Sequence, residues 1–483
     1  MPTPFAISPA ETDMRRHLVL RARVFGALEG LSVLGVPVED LVEETLDVDC
    51  AAGVLRDPRP LSRAETALRR GALRFRRLLE RLRGDGRAWP APVAPGRVAI
   101  DVASTGHNCR RIWEPVARAL GSDDVVLAVP ARAPAADRVP GLEWIAPARL
   151  PVDFAAWRAW VSDGQGEWVR RARSLTDVGI TERGAHHLAW VIALQGLRVF
   201  QAFALVDFYR PRAVLALADR GASGSALVGA ARVRGLPTLT IAHCPVGRTF
   251  GQTFLPLSAD RLLVWGEYQR GVFAEMGVPA DRLAVVGFPG AEEARGTQRA
   301  DAGAGGRRAL VVTGPMRDRW RRAWAGEVAG AARLSSGSSF VVRVHPSESP
   351  GFYRPIFAGL ANVAVVDNRA QPLEDAVAEA DTVVVHGSSV GLDALVSRRD
   401  LVVLDCLPFT LGTMREVVEA GAATRVSSGA ELAEALAAAG TTQARAEIRR
   451  RARAFVDGFF AAYGAEATRR VVAEIQRAAP PRP

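Results

Sequence analysis

From residue 97 onward the chain alternates short apolar runs with longer segments of helical period. Arg97–Ser104 (RVAIDVAS), Val125–Pro130, Ala213–Asp219 (AVLALAD), Thr238–His243 (TLTIAH), Arg261–Gly266 (RLLVWG) and Leu283–Gly287 read as strands, with helices near 110–120, 153–173, 183–207, 222–234 and 267–276. Near-continuous β-branched runs separated by helices are the pattern of a parallel sheet covered on both faces. Residues 291–308 break that pattern with a polar, Gly- and Ala-rich stretch of no apolar period, which reads as a linker. A second alternation follows: Ala309–Gly314 (ALVVTG), Phe340–His345 (FVVRVH), Val363–Asp367, Thr382–His386 (TVVVH) and Leu401–Asp405 (LVVLD) as strands, with helices near 317–333, 372–380, 390–397 and 430–440. The expected fold is therefore α/β: two doubly wound Rossmann-like domains with a cleft between them. In such sheets ligands bind beyond the carboxyl ends of the strands, so the chemistry is sought just after these runs.

The first ninety-odd residues differ. Residues 11–84 show no clear strand and read as helices between Pro-containing turns, a helical N-terminal extension. Arg15–Leu34 is basic and apolar, and in Ala64–Arg83 the leucines 68, 73, 78, 79 and 82 leave the arginines on another face. One reading is a helical cap; the other is an amphipathic surface resting on an anionic membrane. The expected organisation is thus an extension over 1–95, a first Rossmann-like domain over 96–290, the linker 291–308, a second such domain over 309–455, and a closing helix and tail over 456–483.

Composition narrows the class. The chain has 483 residues, too many for one core, and 48% are hydrophobic. No run of eighteen uncharged apolar residues occurs, and the N-terminus lacks a basic region ahead of an apolar core, so neither a transmembrane helix nor a signal peptide is expected. The cysteines (Cys50, Cys109, Cys244, Cys406) are scattered, without metal-site spacing, and read as reduced thiols of a cytoplasmic protein, peripheral to the inner membrane face if the amphipathic reading holds. The net charge is +10, and all 62 basic residues are arginine. Arg-favouring codon usage accounts for this, as does an acidic partner such as a nucleotide or an anionic lipid surface. Nucleic acid is not expected, because no basic stretch interleaves with aromatics and no recognised module is present.

Candidate chemistry clusters at the ends of the predicted strands. Arg343-Val344-His345-Pro346 closes one; Arg343 and His345 share a face, where a cationic pair suits a phosphate and a protonated leaving oxygen, or where a histidine merely fixes a loop. His386-Gly387-Ser388-Ser389 leads from a strand into a helix carrying Asp393. Free amides and two hydroxyls suit phosphate oxygens, Gly387 permits close approach, and Asp393 suits ribose hydroxyls; simple N-capping by serine is the alternative. In the first domain His243, in Ala242-His243-Cys244-Pro245, would face the cleft opposite His345 as a base, or cap its loop. Gly106-His107-Asn108 follows the first strand and suits acceptor contact or a tight turn. Asp219 ends AVLALAD as a candidate base or a turn residue. A P-loop and a Schiff-base lysine are impossible without lysine, and no G-x-S-x-G or H-E-x-x-H occurs. The only Asp-x-Asp, Asp47-Val48-Asp49, precedes both sheets, so no metal and no cofactor are expected.

These segments resemble bacterial GT-B enzymes of surface-polysaccharide assembly: sialyl- and polysialyltransferases, capsule polysaccharide transferases and CDP-glycerol glycerophosphotransferases. Arg343-Val344-His345-Pro346 is similar to their HP motif, and Ser388-Ser389 with Asp393-Ala394 to their SS motif. Residues 259–289 and 453–475 resemble the segment entering the interdomain linker and the closing helices that cross back to the first domain. The resemblance covers roughly residues 97–475 and implies roles. His345 would contact the donor phosphate or act as general acid, Ser388 and Ser389 would bind that phosphate, and Asp393 the ribose. His243 falls where the glycerophosphotransferases carry a Trp-His-Gly segment with a proposed base. The acidic–acidic–Gly triplet of the sialyltransferases has no counterpart in the first domain. The implied activity is metal-independent transfer of a sugar or polyol phosphate from a nucleotide-activated donor to a carbohydrate or polyol acceptor. A sugar-nucleotide epimerase of the same fold and a non-catalytic nucleotide-binding scaffold are the alternatives.

Overall fold

The computed structural model describes residues 23–24, 26–38, 41 and 96–480, apart from 103–106, 129–137, 148–149, 151, 176, 178–179, 220–222, 248–253, 291–306, 315, 317, 409–410 and 439–441. Packing divides the chain into two compact units. One comprises Met1–Ile241, Phe254–Leu262 and Ala473–Pro483; the other Ala242–Thr253 and Leu263–Val472.

A seven-stranded sheet is built from β3 (Val98–Asp101), β4 (Val125–Ala128), β5 (Trp144–Ile145), β6 (Ala213–Ala216), β7 (Thr238–Ile241), β8 (Arg261–Val264) and β9 (Leu283–Val285), in the order β5-β4-β3-β6-β7-β8-β9. The pairs from β5 to β7 are parallel. Its helices include α1 (His107–Leu120), α2 (Phe154–Arg173), α3 (Glu182–Tyr209) and α4 (Gly224–Val233). Every residue of β3, β4, β6 and β7 is buried, as strands covered on both faces require. By length and composition α3 could cross a membrane. Yet 72% of its most apolar eighteen-residue window is buried inside the protein, so it is a core helix here.

The described part of the N-terminal extension departs from the helical expectation. β1 (Ser32–Val33) and β2 (Val36–Pro37) pair antiparallel through a two-residue turn, Leu34-Gly35, with φ of 50° and 83°. Positive φ at both central residues matches the twist of a hairpin. Val24, Leu28, Val33, Val36, Val38 and Leu41 are at most 1% exposed, and Val36 nests against Gly229 of α4, where any side chain would collide. Among the described residues of the basic, apolar segment 15–34, Val24, Leu28 and Val33 pack into the protein. The second amphipathic segment, 64–83, lies outside the described residues.

The second sheet has six strands: β10 (Arg308–Val312), β11 (Ser339–Arg343), β12 (Val363–Val366), β13 (Thr382–Val385), β14 (Asp400–Leu404) and β15 (Thr424–Val426), in the order β12-β11-β10-β13-β14-β15, all parallel. Helices α6 (Asp318–Leu334) and α11 (Gly429–Ala438) cover one face; α5 (Glu267–Glu275), α7 (Pro350–Tyr353), α8 (Leu373–Glu379), α9 (Val390–Val396) and α10 (Met414–Glu419) complete the series before α12 (Thr442–Phe459) and α13 (Gly464–Ala478). The core gathers Trp324, Val328, Phe340, Val342, Val384, Leu404 and Leu432. Trp324 hydrogen-bonds the Leu404 carbonyl through its indole N–H at 3.3 Å, so the bulkiest core residue carries no orphan donor. After α12 the chain pairs with earlier segments: Ala461 N–H donates to Trp265 O (2.8 Å) and Phe288 N–H to Ala462 O (2.9 Å), beneath Trp265 stacked against Phe288 and Phe460.

Candidate functional site at the carboxyl edge of the second sheet

The strand order fixes where a ligand can enter. The chain runs β10, β11, β12 in one direction, then returns to place β13 on the other side of β10. The loops after β10 and β13 therefore leave in opposite directions and open a crevice, the topological switch point of such sheets. Its borders are Thr313-Gly314 after β10 and His386–Ser389 after β13, with His345 after β11. β10 lies between the strands that carry His345 and Ser388, which places β11 and β13 two strand spacings, about 9.6 Å, apart.

His345 is held in one orientation. Its backbone N–H donates to Thr313 Oγ1 (2.9 Å), and its Nδ1 takes the Ser347 backbone N–H (3.2 Å) and meets Ser347 Oγ at 2.8 Å. A backbone N–H can only donate, so Nδ1 is an acceptor and the ring proton resides on Nε2. Nε2 has no protein partner among the described residues, which leaves one N–H available. Burial pushes the His345 pKa below its usual 6.5, partly offset by Glu348, so the ring is neutral near pH 7. Beneath it Thr313, fully buried, donates to Glu348 Oε2 (2.7 Å), and Tyr353 donates to the same oxygen (2.8 Å). Arg321 reaches Glu348 Oε1 at 3.4 Å. Burial and the Glu348 hydrogen bond push the Tyr353 hydroxyl well above its ordinary range, which keeps it a donor.

Arg343 does not join His345. Its guanidinium donates to Gln371 O (2.8 Å) and Asn368 O (2.7 Å), clamping the turn after β12. Arg343 lies within the hydrogen-bonded strand while His345 lies past its end, so the alternation that puts i and i+2 on one face no longer applies.

The β13 edge is more open. Gly387 is exposed and Ser388 and Ser389 are half-buried. Ser388 Oγ accepts the Val390 N–H (3.3 Å), while Ser389, at the N-cap of α9, makes no side-chain cap bond. Its hydroxyl has no partner among the described residues. Asp393 is half-buried one turn into α9. Behind them His386 donates Nδ1–H to Leu404 O (3.2 Å) and, 5% exposed, acts as a buried strut. The loop before α10 closes tightly on this edge: a side chain at Gly387 would meet Leu411 O at 3.0 Å, and one at Gly391 would meet Met414 Sδ at 2.3 Å. That loop in turn holds the segment carrying His243. Thr413 Oγ1 donates to Pro245 O (3.1 Å), and Gly247 leaves no room for a Cβ beside the Glu416 carboxylate. His243 itself is half-buried just past β7.

Two further candidates resolve differently. Asp219 is 0% exposed, and its Oδ2 accepts the backbone N–H groups of Ser258 (2.8 Å) and Ala259 (2.9 Å). It is a loop anchor without solvent access, which removes it from the candidate bases. Gly106 lies outside the described residues, and His107 and Asn108 begin α1. Thr313, Glu348 and Tyr353 escaped sequence reasoning because each is a lone polar residue with partners 5 to 35 positions away.

Two doubly wound sheets of seven and six strands with these orders define a GT-B fold. No protein-family description matches the chain, and no curated protein does. Solved structures do. A crystal structure of Anabaena HepE in complex with UDP and glucose is 14% identical, with a TM-score of 0.50, covering 79% of this chain and 99% of that one. S. aureus MnaA in a co-structure with UDP is 11% identical, with a TM-score of 0.51 over 79% and 96%. A UDP-N-acetylglucosamine 2-epimerase is 12% identical, with a TM-score of 0.51 over 79% and 95%.

Proposed function

We propose that this chain is a nucleotide-sugar-dependent GT-B enzyme that moves a sugar or polyol phosphate, without a metal, onto a carbohydrate or polyol acceptor in bacterial surface-polysaccharide synthesis. The observation that carries the reading is the switch-point crevice bordered by a fixed His345 Nε2–H and the Ser389 hydroxyl. Both are donors without protein partners among the described residues, and a diphosphate offers the acceptors they lack. His345 hydrogen-bonds a donor phosphate oxygen and stabilises the charge that develops as the glycosyl–oxygen bond breaks. Gly387, Ser388 and Ser389 supply amides and hydroxyls, and Asp393 accepts ribose hydroxyls. His243, on a loop tied to Thr413, is the base that takes the acceptor proton. UDP in the complexes of HepE and MnaA supports a uridine nucleotide as the donor. A membrane contact through 64–83 belongs to the same reading, with the enzyme at the cytoplasmic face.

The second reading is epimerisation, favoured by the likeness to a UDP-N-acetylglucosamine 2-epimerase. Against it, Asp219, a strand-end carboxylate of the first sheet, is committed to two backbone amides. Incubation with UDP-N-acetylglucosamine separates the two. Epimerisation produces the C2 epimer with no acceptor present, whereas transfer releases UDP in proportion to added acceptor. The C2 epimer appearing without acceptor overturns the transferase reading.

A further inference from the structure

The segment carrying His243 is held on both sides. Ala242, directly after β7, donates its N–H to Leu263 O (3.0 Å) and accepts the Trp265 indole N–H on its carbonyl (2.8 Å). Two residues beyond His243 stands Pro245, whose backbone has only a carbonyl to offer. Thr413 Oγ1 donates to that carbonyl at 3.1 Å, from 168 positions away. All of these residues belong to one compact unit.

Thr413 forgoes a local bond to do this. It occupies the N-cap of α10, where a threonine oxygen ordinarily accepts an N–H of the first turn, yet it makes no side-chain cap bond. It is buried, so the Pro245 carbonyl would lose its partner with no ready replacement from water. Glu416, three residues on and therefore on the same helix face, closes on the same loop: a Cβ at Gly247 would lie 2.2 Å from its Oε1. The start of this segment meets the β13 edge instead. Leu411 and Met414 are buried, the Met414 N–H donates to Leu411 O (3.1 Å), and the two leave little room for a side chain at Gly387 and Gly391. The six residues Leu411–Glu416 thus touch both the loop assigned to the donor phosphate and the loop that carries His243.

We propose that Thr413 is the positioning residue for His243, and that Leu411–Glu416 is a strap through which nucleotide in the crevice steadies the His243 loop. The proposal rests on the nucleotide-dependent reading above. In the transfer step the acceptor oxygen bonds to the reacting atom of the donor group and its proton passes to His243. The bond to the leaving phosphate oxygen breaks with its electron pair on the nucleotide. His243 must therefore stand at a set distance from the donor, since a misplacement of about 1 Å costs on the order of a hundredfold in rate. A strap packed against both loops sets that distance.

The test is hydrogen exchange of the full-length protein, read by mass spectrometry with and without saturating UDP. In wild type, UDP should slow exchange severalfold at 387–391 and, through the strap, at 243–247. Thr413→Val should speed exchange at 243–247 roughly fivefold, the effect of one lost hydrogen bond of typical strength, and abolish the response of that segment to UDP. Its UDP affinity by calorimetry and its response at 387–391 should remain, and Thr413→Ser should restore wild-type behaviour. Thr413→Ala, smaller than the native residue, carries the test if the valine variant fails to fold by circular dichroism. Protection at 387–391 with none at 243–247 in wild type overturns the proposal, as does a Thr413→Val protein whose 243–247 segment still responds to UDP. No protection at 387–391 in wild type overturns the nucleotide reading itself, and the proposal with it.

Discussion

Replacing Thr313 by valine should loosen His345 without changing the shape of the core. The threonine hydroxyl accepts the His345 backbone N–H at 2.9 Å and donates to Glu348 Oε2 at 2.7 Å. It is fully buried, so no water replaces either bond. The His345 N–H would be orphaned, at about 1–3 kcal/mol, and a hydrogen bond to a carboxylate lost, at about 1.5–3 kcal/mol. Glu348 keeps Tyr353 and Arg321, which softens the second term, so a net loss of about 3 kcal/mol is expected. Urea unfolding followed by tryptophan fluorescence measures it, with an unchanged m-value showing that the same surface unfolds. The same variant should bind UDP at least tenfold more weakly, and Thr313→Ser should restore both properties. A Thr313→Val protein within about 0.5 kcal/mol of wild type, the spread of neutral surface substitutions, would refute the account of how His345 is positioned.

Asp219→Ala should destabilise the protein by about 3 kcal/mol or more in a denaturant titration, because two buried amides lose a charged acceptor; lost turnover at full stability would restore Asp219 as a base. Burial lowers the pKa of His345 and of His386 below 6.5, so the unfolded chain binds more protons and stability should fall as pH drops below 6.5. His386→Asn should flatten that slope in melts between pH 7.5 and 5.5, and a rise in stability on acidification would contradict the assignment. If transfer is metal-independent, as proposed from the lack of an Asp-x-Asp at any strand end, activity should survive EDTA; loss reversed by Mg²⁺ or Mn²⁺ would show a metal requirement.

The strands most legible in the sequence were those buried on both faces. Val383–Val385 and Leu401–Leu404 are apolar throughout because helices cover both sides, and their patterns run one residue past the true ends. β5 and β15 are not legible because Trp144-Ile145 and Thr424–Val426 sit in no apolar run, unlike the equally short β9, whose Leu283–Val285 continues into Val286. The N-terminal hairpin went unseen because its turn places a leucine, not a glycine, at positive φ. Loop positions were legible as well, because strand ends can be read locally. What each polar residue does there was not. Arg343 finds its carbonyls 25 and 28 residues downstream and Asp219 its amides 39 and 40 downstream, separations that no local spacing encodes. His345 and Ser389 differ from them in retaining a polar group without a protein partner among the described residues, a property only the folded chain reveals.

The central claim, that the crevice between β10 and β13 binds the phosphates of a nucleotide through His345, is tested most directly by titrating UDP calorimetrically into wild type and His345→Ala. Loss of one hydrogen bond to a charged phosphate is worth about 1.5–3 kcal/mol, so the variant should bind roughly ten- to a hundredfold more weakly with its fold intact. His243→Ala, carried alongside, should bind UDP as wild type does. A folded His345→Ala protein that binds UDP with wild-type affinity would contradict the claim.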